Sequence, residues 1–105
     1  MHTYIFVRTD IPIEHQVAQA CHGALEAGIE FSNILRAYPD SIVVLGVKDK
    51  HELLKAALLL DKHEIRFKMF FEPSWDYGYT SIGTEPIDTD VRKYLRKFKL
   101  WKANE

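Results

Sequence analysis

The stretch "TYIFVRTDIPIEHQVAQACHGA", residues 3–24, decides the fold. Its opening, "TYIFVR", is rich in β-branched and aromatic residues, as a strand requires, and Asp10 with Pro12 marks a turn and a helix start. From about Ile13 a helical pattern runs through "VAQACHGALEAGIEFSNILRAY". A bend is expected near Gly28, and an end before Pro39, whose ring disfavours helix in the residue ahead of it. "SIVVLGV", residues 41–47, is then a continuous apolar run of the kind a buried parallel strand needs.

Outward from that strand–helix–strand unit, "KDKHELLKAALLLDKH" clusters Leu53, Leu54, Ala57, Leu58 and Leu60 at helical spacing, with charges opposite them. "RFKMFFE" and "YTSIGTE" are short strands joined by "PSWDYGY", and "PIDTDVRKYLRKF" opens a last helix behind Pro86 and a cap at Asp88. The order βαβαββα predicts an α/β fold. Its expected form is a three-layer α/β/α sandwich around a central four-stranded mixed, mostly parallel sheet, filling residues 1–105 as one domain, with functional loops near the carboxyl ends of the parallel strands.

The composition narrows the chemistry. A single cysteine, Cys21, excludes an internal disulfide and a multi-cysteine zinc site, and is expected to be a small buried hydrophobe rather than a nucleophile. With neither a signal peptide nor a membrane span in view, a cytoplasmic protein is expected. The net charge of −1 conceals an asymmetry: residues 1–91 carry 8 Lys+Arg against 14 Asp+Glu, whereas residues 92–105 carry 6 against 1. Arg92, Lys93, Arg96, Lys97, Lys99 and Lys102 therefore form a basic stripe, either a phosphate contact beside a cleft or a solvated helix end.

On the first helix His15, Gln19, His22 and Glu26 share one face, with Val17, Ala20, Cys21 and Ala24 beside it, small enough to admit a sheet. The polar stripe borders a cleft or simply faces water. It is a poor metal site, because His15 and His22 lie about 10 Å apart along the axis by the helical rise. No phosphate-binding glycine loop, dinucleotide fingerprint or Ser–His–Asp order is present.

Three ordered stretches, "VRTDI", "VAQACHGA" and "TSIGTEPI", resemble the type 2 peptidyl-tRNA hydrolases over most of the chain. The resemblance rests on Val7, Arg8 and Asp10; on Ala18, Gln19, His22 and Gly23; and on Thr80, Gly83 and Pro86. It implies a compact α/β sandwich and hydrolysis of the ester joining a peptide to the 3′ end of tRNA, a reaction that needs no metal or organic cofactor. The partner implied is peptidyl- or aminoacyl-tRNA.

Within that resemblance the family's lysine, seven residues before the histidine, is replaced by His15, and "TDIPIE" lacks lysine altogether. Histidine is a base near neutral pH and lysine a fixed cation, so the two are not equivalent. The implied roles are His15 as base or electrostatic stabiliser, Glu72 or Asp76 orienting it or the water, Thr80 hydrogen-bonding the ester region, and Gln19 with His22 positioning them. Trp75 and Tyr77, with Tyr79, either stack the terminal nucleotide or pack over the sheet edge. Arg8 and Asp10 either pair and cap the helix, the role expected of them, or line the cleft. The alternatives are a non-catalytic module binding the tRNA end, or a small-ligand or protein-binding domain using the same cleft. The sequence does not fix the oligomeric state, a dimer included.

Overall fold

The computed structural model describes residues 1–37 and 41–103, so the expected helix stop before Pro39 lies outside the described residues. Strand β1 (His2–Arg8) leads into helix α1 (Ile13–Glu30), followed by α2 (Ser32–Ala37), β2 (Ser41–Val47), α3 (Lys50–Lys62), β3 (Phe67–Glu72) and β4 (Gly78–Thr84). A single turn, α4 (Thr89–Arg92), continues as a 3₁₀ turn over Lys93–Leu95 and ends in a short strand β5 (Lys99–Leu100). The α1 pattern breaks at Phe31 rather than near Gly28. Phe31 is buried, and its N–H still bonds to the Ala27 carbonyl as the chain leaves helical geometry.

The sheet has five strands in the order β3-β4-β1-β2-β5, one more than expected. It is mixed, but only β1 and β2 run parallel, in register from His2 opposite Ser41 to Arg8 opposite Val47; the other three pairings are antiparallel. The expectation of a mostly parallel sheet fails for a physical reason. The α3 crossover does return β3 in the direction of β1 and β2, but the short link from β3 to β4 forms an antiparallel hairpin and β4 lies between β3 and β1, so β3 has no parallel neighbour.

Alternation along the strands separates two faces. Tyr4 and Phe6 of β1, Leu45 and Val47 of β2 and Ile82 of β4 pack with Leu53, Ala56, Ala57 and Leu60 of α3 in one cluster. Helix α3 is capped by Asp49, whose carboxylate accepts from the Glu52 N–H at 2.9 Å. Ile5, Ser81 and Gly83 have the opposite parity and meet α1 instead. A Cβ at Gly83 would lie 2.2 Å from the Gly23 carbonyl oxygen and 2.8 Å from the Ala27 methyl, so glycine lets the α1 backbone rest directly on β4.

The expected last helix is cut short. Leu95 is 2% exposed and Phe98 meets Phe6 edge-on at 5.0 Å, drawing this segment into the α3-side core and turning the chain towards β2. Asp88 occupies the N-cap position of α4 without a side-chain cap bond. Among the described residues, no helix is long and apolar enough to cross a membrane.

Candidate functional site

Helix α1 is inside out. The residues it buries are Gln16, Gln19, Gly23 and Ala27, while Val17, Leu25 and Ile29 are 50%, 61% and 75% exposed. Two expectations fall here. Gln19 is buried and His15, His22 and Glu26 half-buried, so the reading of that stripe as a face in open water fails, and Val17 and Cys21 do not meet the sheet; Cys21 is exposed. The close approach at Gly23 and Gly83 sets the helix low enough for its glutamines to reach partners beneath it.

Gln19 is the centre of a chain of bonds that runs from the buried Thr80 to the solvent-accessible Glu72. Thr80 Oγ1 on β4 donates to Gln19 Oε1 at 2.5 Å, and Gln19 Nε2 donates to Glu72 Oε1 at the end of β3 at 2.8 Å. The second Glu72 oxygen accepts from the Ser74 N–H at 3.2 Å. These donors, the Gln19 amide first and the Ser74 amide next, hold the Glu72 carboxyl below its ordinary range, because they bond the charged form. Thr80 is fully buried with its hydroxyl committed to Gln19, not turned outward as the expected bond to an ester would need.

One helical turn earlier, His15 meets the loop between β3 and β4. Its Nδ1 lies 2.8 Å from the Tyr77 hydroxyl and its ring 4.5 Å from the Trp75 indole. The partner orienting this imidazole is thus a neutral phenol, and neither Glu72 nor Asp76 takes the place expected of them there. Asp76 is exposed and enters none of these bonds. His22 stacks face to face on Phe70 with ring centroids 4.2 Å apart, outside the Gln19 chain.

The loop carrying Trp75 and Tyr77 is held in an unfavourable backbone conformation. Trp75 and Asp76 have φ of 55° and 59°, left-handed values that cost non-glycine residues of order 1 kcal/mol or more each, and Gly78 follows at 68°. Arg8 offsets this. Its guanidinium grips Asp10 through both oxygens at 2.9 and 3.0 Å and donates to the carbonyls of Tyr77 at 2.6 Å and Tyr79 at 3.2 Å. The Arg8–Asp10 pair therefore ties down the loop rather than capping α1, whose N-cap is Pro12 without a side-chain bond. Trp75 is left 63% exposed over His15.

The basic residues do not form one stripe, because the segment is not one helix. Lys97 sits over the Phe98 ring at the rim of a cavity that Lys55 and Lys62 of α3 also line, Lys93 sits over the Tyr94 ring, and Lys99 and Lys102 border a cavity beside Gln16. Arg92 is half-buried in α4 and Arg96 exposed beyond the 3₁₀ turn. Sequence reasoning missed Tyr77 as the partner of His15, Phe70 as that of His22, and the Trp101 indole, which donates to Gln16 Oε1 at 2.7 Å. These pairs are separated by 48 or more positions and carry no local signal. No family model matches the chain, and no curated protein does.

Proposed function

We propose that the protein hydrolyses the ester of peptidyl- or aminoacyl-tRNA, and so works in the cytoplasm where that substrate is made. The observation that supports this reading is the Thr80–Gln19–Glu72 chain, one helical turn from an imidazole held by Tyr77. Gln19 and Thr80 are motif positions of the resemblance and Glu72 the first choice for its acidic residue, and the buried Gln19 and Thr80 are desolvated at a cost that their mutual bond offsets.

In the tautomer that donates Nδ1–H to Tyr77 Oη, His15 Nε2 keeps its lone pair for a water. His15 takes a proton as that water attacks the ester carbonyl. The tetrahedral intermediate then collapses, and the ribose oxygen leaves with the proton returned from the imidazolium, giving a free carboxylic acid and a free tRNA. Glu72, anchored by Gln19 and Ser74, is the fixed negative charge of the site; Gln19 and Thr80 position it. Arg8 is saturated by Asp10 and two carbonyls and acts through the loop.

A second reading, a non-catalytic module that binds the tRNA end, is favoured by the Trp75 indole, large, exposed and laid against His15. Release of peptide from a defined N-blocked aminoacyl-tRNA separates the two. His15→Ala is expected to lower turnover by about 10²-fold, with tRNA binding retained. His15→Lys is expected to be as slow, since an ammonium replaces a cation but not a neutral base. Activity kept by lysine and lost in alanine would make His15 a cation, and tRNA binding without turnover in the unaltered protein would favour the module.

A further inference from the structure

The tail builds a second site that the ester chemistry does not use. Strand β5 pairs with β2 so that Lys99 lies opposite Gly46, and the Trp101 N–H continues the pairing to the Val44 carbonyl at 2.9 Å. The Trp101 indole then bonds to Gln16 of α1 at 2.7 Å, while Gln16 Nε2 donates to the carbonyls of Thr9 and Ile11. Tail, helix and the loop after β1 thus close around a cavity of about 200 Å³ at the carboxyl ends of the two parallel strands.

Three lysines border it, Lys48 from the end of β2 and Lys99 and Lys102 from the tail, and among the described residues no carboxylate does. A concave site with charges of one sign on low-dielectric walls focuses its field on an oppositely charged group. The chain elsewhere is predominantly acidic, so this concentration is local to the fold. The volume is below the roughly 300 Å³ at which pockets accept a whole drug-sized ligand, which suits a phosphate group rather than an entire nucleotide.

We propose that this pocket is a phosphate site, recognising the phosphate of a nucleotide that is either free or part of a single strand. Lys48 and Lys99 supply the charge, and the Gln16–Trp101 bond keeps the tail in place to present it. The proposal is independent of ester hydrolysis, because it concerns binding by residues outside the Gln19 chain. Gln16 lines the pocket and directly follows His15, so the pocket and the candidate site share the first turn of α1.

The test is a titration at low salt with adenosine monophosphate and with a short oligoadenylate, followed by the indole N–H resonance of Trp101, assigned with a Trp75→Phe variant. Both lysines to be replaced are exposed, so Lys48→Gln/Lys99→Gln leaves the core intact. The double variant is expected to bind the responding probe at least tenfold more weakly. For the oligonucleotide, its salt slope should fall by about 0.7, the value for loss of one phosphate contact on a single strand. Arg92→Gln/Lys93→Gln, outside the pocket, should change neither. Equal affinity for both probes identifies a free nucleotide as the source, and much tighter binding of the oligonucleotide identifies a strand. No shift of the Trp101 resonance with either probe, or undiminished binding by the double variant, overturns the proposal.

Discussion

Helices α1 and α3 cross the same sheet on opposite faces and obey opposite rules. Helix α3 buries Leu53, Ala56, Ala57 and Leu60 and turns its charges to water, although Leu54 and Leu58, expected in the same apolar cluster, are exposed beside those charges. Helix α1 buries Gln16 and Gln19 on the small residues Gly23 and Ala27, and leaves Val17, Leu25 and Ile29 largely exposed. One helix secures the core by apolar area. The other carries polar groups to the ends of β3 and β4, and its buried face is held by hydrogen bonds and close backbone contact. Burial of polar groups at that density is characteristic of a site rather than of a scaffold.

The sharpest contrast between the two is expected from truncation. Leu53→Ala, at a fully buried position on α3, should cost about 2–5 kcal/mol by the loss of contacts and the cavity left behind. Leu25→Ala or Ile29→Ala on α1 should stay within about 0.5 kcal/mol. Urea unfolding midpoints measure both. A cost above about 1 kcal/mol at Leu25 would mean that the outer face of α1 is covered in solution, and the contrast would fail.

The next effect bears on how α1 is seated. Gly83→Ala forces a methyl to within 2.2 Å of the Gly23 carbonyl, and because backbone opposes it, α1 must lift. Overpacking of this kind costs about 1–3 kcal/mol. The same shift should separate Gln19 from Thr80, so peptidyl-tRNA turnover should fall together with thermal stability. A variant of unchanged stability would show that the helix does not rest on β4 as described.

The smallest effect is on pH dependence. Glu72 is held below its ordinary range by Gln19 and then by Ser74. A carboxyl depressed in the folded state adds stability that is present above its unfolded value, about 4.3, and is lost as pH falls through the folded one. Glu72→Gln should therefore flatten the decline of stability with acid below about pH 4.3. An acid-unfolding curve identical to that of the unaltered protein would detach Glu72 from the Gln19 bond.

What was legible in the sequence follows the same division. Helix α3 and the strands "TYIFVR", "SIVVLGV", "RFKMFFE" and "YTSIGTE" are legible because local pattern and tertiary packing agree there. Of the apolar cluster on α3, Leu53, Ala57 and Leu60 are buried, whereas Leu54 and Leu58 lie outside the packed face and are exposed. The inversion of α1 could not be read from periodicity. Small and polar residues on a helix say nothing of which face is buried until Gly83, some 60 positions later, is placed beneath Gly23. Strand direction was misjudged because a pattern identifies strands and not their partners, and the last helix because Phe98 packs on Phe6. Of the site, Gln19 and Thr80 are legible from their motif positions and Glu72, with Asp76 as the alternative, from its place at the end of a strand, and the structure joins Gln19 to Thr80 and Glu72. Tyr77 is legible only as an aromatic ring, not as the hydroxyl on His15.

The central claim is that the buried polar face of α1 organises a site for ester hydrolysis, and single-turnover release of peptide from an N-blocked aminoacyl-tRNA tests it most directly. The unaltered protein is expected to release the peptide. Gln19→Ala, which strips both Thr80 and Glu72 of their partner, should slow release by about 10²-fold, and Leu25→Ala on the outer face of the same helix should leave it unchanged. Release as fast in Gln19→Ala as in the unaltered protein, or no release by the unaltered protein at all, would contradict the claim.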